Sequence, residues 1–217
     1  MIAMGSTSGV LDRWAHYQVA TGAVEIPPDG CCDVIVTLPP GARAEWTLFA
    51  LATTIETKTV EAGATLLGAR LRPGSILDAD RFFNLVQQST TPPDVMLDRL
   101  EEFVRVDSNV DEALALLAQG LSVRRCAGRA GVSERSLQRL VTGSTGKSPV
   151  FWRQLARARV AARCLVSGHD ISAVAYGNGF SDQAHLTREM RRWFRCSPSA
   201  LRAEGRLKAA LSESGYA

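Results

Sequence analysis

No stretch of this sequence supplies the roughly 18 to 20 apolar residues that a membrane-spanning helix needs, because Arg, Lys, Asp or Glu interrupts every candidate. Met1 to Val10 lacks a basic cluster followed by an apolar run, so no secretory signal is expected. Cysteine is sparse and unpaired in pattern. Cys31, Cys32, Cys126, Cys164 and Cys196 are odd in number and contain no C-x-x-C pair. Only three scattered histidines, His16, His169 and His185, accompany them. These absences argue against a disulfide framework and a structural zinc site, and for a reducing compartment. The expectation is a cytoplasmic protein with no metal, no cofactor and no membrane partner. Lysine is also scarce: Lys58, Lys147 and Lys208 are the only ones among 25 basic residues. Positive charge therefore rests on arginine, which suits bidentate contact with phosphate and guanine edges.

What is present divides sharply. The net charge of +3 over 217 residues conceals an acidic first half and a basic second half. Residues 1–107 hold 8 Lys/Arg against 14 Asp/Glu, whereas residues 108–217 hold 17 against 8. Such asymmetry points to a basic module with a polyanionic partner, joined to an acidic module with another task.

The acidic half carries strand signals. Cys32 to Leu38 is a β-branched run between the turn signals Pro27-Pro28-Asp29-Gly30 and Pro39-Pro40-Gly41. Strand-like runs follow at Glu45 to Ala52, Thr53 to Glu61 and Thr65 to Arg72, and Asp78 opens a short helix. Beyond Thr90-Thr91-Pro92-Pro93 strand signals stop and apolar residues recur at helical spacing. The expected fold is an α+β N-terminal domain, a small antiparallel β-sheet with a helix, followed by an all-α domain of about seven helices with two helix-turn-helix units. Residues 1–92 read as a sensor or regulatory domain, 93–107 as a linker helix, 108–205 as a DNA-binding domain and 206–217 as a tail.

Two segments carry the functional signal. In the first, Ser122 caps a short helix, Gly131 makes a turn with Val132 as a buried plug, and Ser133 caps a second helix through Val141. Leu137, Leu140 and Val141 face inward there, leaving Arg135, Ser136, Gln138 and Arg139 to solvent. In the second, Ile171, Val174 and Ala175 precede the turn Gly177-Asn178-Gly179 with Phe180 as its plug, and Ser181 caps a helix through Met190. That helix leaves Gln183, His185, Thr187 and Arg188 exposed. The second helix of such a pair enters the major groove, where Arg reads guanine and Gln reads adenine. Between the units, Pro149 to Val166 forms a helix of roughly 27 Å, which separates the reading helices by about one DNA turn of roughly 34 Å. Phosphate contacts are expected from the helix starts at Ser133 and Ser181 and from Lys147, Arg153 and Arg192.

Leu121 to Arg202 resembles the DNA-binding domain of the AraC/XylS family of bacterial transcription regulators. The resemblance rests on Ser133-x-x-x-Leu137-Gln138-Arg139, Thr145-Gly146-Lys147-Ser148-Pro149, Gly177-x-Gly179-Phe180-Ser181-Asp182 and Trp193-Phe194-x-x-Ser197-Pro198-x-x-Leu201-Arg202. It implies one domain of seven helices that binds two adjacent major-groove segments as a monomer, with no catalysis, and activation as the usual outcome. Ala184 departs from relatives that carry a polar reader at that place, and its methyl suits a thymine methyl.

The N-terminal half is less explicit. Trp14 to about Asp78 resembles small domains that precede some AraC-type modules, on Pro28-Asp29-Gly30-Cys31-Cys32-Asp33-Val34-Ile35 and Leu67-Gly68-Ala69-Arg70-Leu71-Arg72-Pro73-Gly74. Arg70 and Arg72 alternate on one strand and, with Cys31, form a candidate effector site for an anionic group. The competing reading pairs these arginines with Asp29, Asp33 or Asp78. Two further readings stay open: a cysteine-based redox sensor using Cys31 or Cys32, and a DNA-repair methyl acceptor, which would need a zinc-bound cysteine cluster. The helix from Asp94 to Val106 offers an apolar side to its own domain, to a second copy in a homodimer, or to RNA polymerase.

Overall fold

Turn chemistry and alternation set out the first half of the chain. A computed structural model describes residues 8–203, 207 and 211–217; residues 1–7, 204–206 and 208–210, which belong to the start of the expected regulatory domain, the end of the expected DNA-binding domain and the tail, lie outside that set. Seven strands come first: β1 (Val10–Tyr17), β2 (Gly22–Ile26), β3 (Cys32–Leu38), β4 (Glu45–Phe49), β5 (Glu56–Val60), β6 (Thr65–Leu71) and β7 (Ile76–Leu77). β1, β6, β3 and β4 form an antiparallel sheet in that order, and β2 pairs with β5 in a separate ribbon.

The two faces of the larger sheet do different things. Val34 and Val36 of β3 and Ala69 and Leu71 of β6 alternate onto one face and are buried. Helix α1 (Ala79–Gln88) covers this face with Phe82, and α2 (Pro93–Asp98) covers it with Met96 and Leu97. The opposite face carries a row of charge. Arg70 stands opposite Asp12 on β1 and opposite Asp33 on β3. Beside that row Trp14 lies across Gly68, its register partner, where an added Cβ would sit 2.2 Å from the indole. Only glycine leaves room for the ring.

Where one linker helix from Asp94 to Val106 was expected, the chain makes three pieces. After α2 it tightens into a 3-10 turn, Arg99–Phe103, and then a short strand β8 (Val104–Arg105) that pairs with β7. The tightening turns Leu100 and Phe103 into the sheet core, where both are buried. Strand structure thus continues past Pro93.

Seven α-helices follow among the described residues: α3 (Ser108–Ala118), α4 (Val123–Arg129), α5 (Glu134–Thr145), α6 (Pro149–Val166), α7 (Ile171–Gly177), α8 (Gln183–Phe194) and α9 (Pro198–Ala203). Their caps follow the sequence with two changes. Helix α3 is capped by Asp107, whose carboxylate accepts from the Asn109 N–H at 2.9 Å, rather than by Ser108 or Asn109. Helix α8 is capped by Asp182 rather than Ser181; its carboxylate accepts from the His185 N–H at 2.6 Å. An ionised cap is the stronger acceptor, so α3 begins at least one residue earlier, and α8 one residue later, than a serine cap would set it.

One continuous core joins all these helices. Trp152, Leu155, Ala158, Ala162 and Leu165 of α6 are buried in it, as are Leu137 of α5 and Leu186 and Met190 of α8. The two halves of the molecule meet along a seam. Ile55 donates its N–H to the Trp193 carbonyl (3.2 Å), Arg195 Nε donates to Thr54 Oγ1 (3.3 Å), and Arg72 pairs with Asp111 at 3.6 Å.

Candidate nucleic-acid interface

Helices α4 and α5 form one helix-turn-helix pair and α7 and α8 a second, with α6 packed between them. In the first pair Gly131 takes a left-handed φ of 67° and the Val132 N–H returns to the Ala127 carbonyl at 3.0 Å. Val132 is not the expected plug: it is 41% exposed at the surface of the turn. In the second pair Phe180 does fill that place. It is buried, its ring meets His185 edge-on at 5.3 Å, and the Arg157 guanidinium covers it at 4.5 Å while donating to the Gly179 carbonyl. Arg157 is a residue that sequence reasoning missed; its spacing on α6 marks it only as half-buried.

The segment between the pairs is fixed by Thr145. Its hydroxyl donates to the Val141 carbonyl and accepts from the Trp152 indole N–H at 2.9 Å. Gly146 ends α5 in the left-handed conformation, and the Ser148 hydroxyl accepts from the Phe151 N–H to begin α6. The Thr-Gly-Lys-Ser-Pro run is therefore a corner that sets the angle between α5 and α6.

The predicted base readers separate into two sets. Arg135, Gln138 and Arg139 on α5 are exposed, and their side chains make no hydrogen bond or ion pair with any described residue. Arg188 on α8 is exposed as well, and its charge helps to lower the Asp182 pKa without a direct bond. The others are engaged within the fold. The Ser136 hydroxyl lies 2.9 Å from that of Ser133 and belongs to the α5 cap. The Gln183 amide donates to the Ser172 hydroxyl on α7, and the Thr187 hydroxyl donates back to the Gln183 carbonyl. His185 Nδ1 accepts from the Ser181 N–H at 3.3 Å, which makes it part of the α8 start.

The predicted phosphate partners also differ in freedom. Ser133 accepts from the Ser136 N–H at 3.1 Å as the α5 cap. Lys147 sits over the Phe151 ring at 5.5 Å. Arg192 pairs with Glu189 at 3.5 Å and donates to Gln154. Arg153 lines a groove between α6, the end of α3 and the Gly177–Gly179 turn. At Ser181 the helix start holds the Asp182 carboxylate, whose pKa is lowered first of all by the His185 N–H.

In the other half, Arg70 and Arg72 go separate ways. Arg70 is buried and its guanidinium reaches Asp33 at 3.0 Å and Asp29 at 3.1 Å. Arg72 donates to the Ser8 carbonyl at 2.9 Å and pairs with Asp111 on α3. Burial pushes the Cys31 thiol far up, with the Asp29 charge adding to it, and burial also raises Cys32. Both sulfurs are thus disfavoured as thiolates. Among the described residues no group of three or more His, Cys, Asp or Glu side chains is arranged to hold a metal ion, and no helix is long and apolar enough to cross a membrane.

Comparison with known proteins bears on this second half of the chain. Residues 126–204 match a family model described as a helix-turn-helix domain. Over 69 residues the chain is 45% identical to the HTH-type transcriptional regulator RipA of Corynebacterium glutamicum, a match that covers 32% of this chain and 21% of that protein. The chain thus spans about a fifth of the length of that relative. A transcriptional regulator from Chromobacterium violaceum with an AraC-type DNA-binding domain is 28% identical, covering 44% of this chain and 89% of that one, with a TM-score of 0.42. The DNA-binding domain of AdpA, solved in complex with a target DNA, is 29% identical, covering 45% and 92%, with a TM-score of 0.41.

Proposed function

We infer, from the match of residues 126–204 to a helix-turn-helix domain, that this chain is an AraC-type DNA-binding transcriptional regulator that reads two adjacent major-groove segments, one with α5 and one with α8. The observation that carries the reading is the pair of helix-turn-helix units on one buried spacer helix, α6, with Arg135, Gln138 and Arg139 unpaired on the first reading helix. Those three and Arg188 are the primary base readers. Ser136, Gln183, His185 and Thr187 reach bases only by giving up bonds they hold in the fold, so their contribution to discrimination is smaller. Lys147, Arg153 and Arg192, with the helix starts at Ser133 and Ser181, supply the phosphate contacts, and the Asp182 carboxylate makes the second start the weaker anion site.

Activation is the expected outcome at a promoter, through contact with RNA polymerase, and a promoter-reporter assay distinguishes it from repression. A small-molecule effector acts by preferring one arrangement of the two halves. With Arg70 occupied by two aspartates, an anion at the Arg70, Arg72 and Cys31 site has to displace Asp29 or Asp33 first.

Selection of genomic fragments by the full chain, followed by titration over a range of salt, tests the reading. One enriched motif with two half-sites about 10 base pairs apart is expected. Neutralising about six phosphates gives a log–log salt slope of about −5. Arg139→Ala is expected to cost about 1–3 kcal/mol and to relax the motif at one position of one half-site. Salt-independent binding, or none, overturns the assignment.

A further inference from the structure

Segment 211–217 touches both halves of the molecule at once. Leu211 is fully buried in the helical core. Glu213 reaches Arg70 at 3.5 Å, and the Ser214 hydroxyl donates to Asp12 at 2.7 Å while its carbonyl accepts from Arg70 Nη1 at 2.7 Å. Gly215 passes so close that a Cβ there would stand 2.7 Å from Arg159 Nη2 and 3.1 Å from the Asp29 carbonyl. Tyr216 is the wedge. Its N–H donates to the Asp29 carbonyl at 2.7 Å, its hydroxyl donates to the Leu114 carbonyl of α3 at 2.9 Å, and its ring meets Trp152 edge-on at 4.8 Å. Arg163 of α6 donates to the Ala217 backbone oxygen.

We propose that residues 211–217 are an internal strap that closes the seam between the strand-bearing half and the helical half, and through that seam holds the Thr54–Ile55 loop against the end of α8. The assignment is independent of what α5 and α8 read. It follows from what lies underneath. Arg159 of α6 is fully buried, donates one hydrogen bond to the Pro28 carbonyl at 3.3 Å, and leaves Nε without a partner. Asp29 is buried beside it, and burial raises its pKa against the pull of Arg70. Arg159 Nε gains a partner by meeting water, so the seam buries a polar group that opening would satisfy. The closing contacts come from the strap: an aromatic wedge on Trp152, and hydrogen bonds to the Pro28–Cys31 loop, to α3 and to the charged row on the sheet. Gly30 shows how closely the pieces fit. Its φ of 82° is a conformation that glycine adopts freely, and a Cβ there would lie 2.5 Å from that of Tyr216.

The reporter is the Ile55 amide, which crosses the seam to the Trp193 carbonyl and belongs to a different contact from those of the strap. Hydrogen exchange is measured on the full chain, on Tyr216→Ala and on Glu213→Lys. In Tyr216→Ala the Ile55 amide is expected to exchange about tenfold faster, while amides within β3 and α5 keep their protection, as for a sub-global opening. Acceleration confined to the amide of position 216, with Ile55 unchanged, overturns the proposal and leaves 211–217 as a local covering. Should Tyr216→Ala also deprotect β3 and α5, Glu213→Lys decides, because Glu213 has a 60% exposed side chain and its reversal removes no core packing. Faster exchange at Ile55 in that variant supports the strap, and unchanged exchange rejects it.

Discussion

Replacing Arg70 by methionine keeps much of the stem's volume and removes the charge that Asp29 and Asp33 share. Because the Arg70 side chain is only 7% exposed, both carboxylates would lose the counter-charge they share while buried, Asp29 retaining the Cys31 N–H, and a broken buried pair of this kind costs about 3–5 kcal/mol. Urea unfolding of Arg70→Met should show that loss as a lower midpoint at unchanged slope. Arg99→Met, which breaks a fully solvated pair with Glu102, should leave the midpoint where it is. The contrast separates two arginines that look alike in the sequence. Pairing of Arg70 with Asp29 and Asp33 was one of two sequence readings, because strand alternation puts residues 33 and 70 within reach only if β3 and β6 are neighbours in the observed register. That Arg72 crosses to Asp111 instead could not be read, since the residue leaves the strand just where alternation stops applying.

At the level of the element, the two helix-turn-helix units differ in the chemistry of their caps. The first is capped by serine hydroxyls, Ser122 on α4 and Ser133 on α5, which do not titrate. The second is capped by carboxylates, Asp170 on α7 and Asp182 on α8. Each carboxyl is held below its ordinary pKa, chiefly by a backbone N–H, from Ala173 and from His185 respectively. A group depressed in the folded state adds stability that is complete above the ordinary carboxylate range and is lost as pH falls through its folded value. On acidification from pH 6 to pH 3 the amides at the starts of α7 and α8 should therefore lose protection before those of α4 and α5, which pH-dependent NMR exchange would resolve. Protection lost equally in both units would reject this. Helix α6 was legible to its bounds, because Ser148, Pro149 and a regular apolar spacing all agree. β3 was legible because a β-branched run lies between two proline–glycine turns. β1 was not: its burial pattern is almost wholly exposed beyond Val10, so no alternation marks it as an edge strand. The break of Asp94–Val106 into α2, a 3-10 turn and β8 was equally silent, since Leu100 and Phe103 fit a helical spacing and a sheet-facing turn alike.

For the whole molecule, the buried face of α6 fixes the separation of α5 and α8 within one core. A duplex in which five base pairs are inserted between the half-sites turns one of them to the far side of the helix. The chain should bind it no better than it binds a single half-site, in a competition assay against the uninterrupted duplex. Equal affinity for both would mean that the two units move independently. The charge division that the sequence displayed is also realised in space: the acidic half meets the basic half at a seam sealed by 211–217, a long-range closure to which the polar surroundings of Tyr216 gave no clue. That closure bears on portability. The helical half looks like a cassette that could be cut after α9 and fused to another partner, yet Leu207, Leu211 and Tyr216 all belong to its core. A chimera built on residues 108–203 would inherit a Trp152 stripped of the Tyr216 ring that covers it, and such a graft would be stickier than its parent; the transferable unit is the one that carries its own closing residues with it.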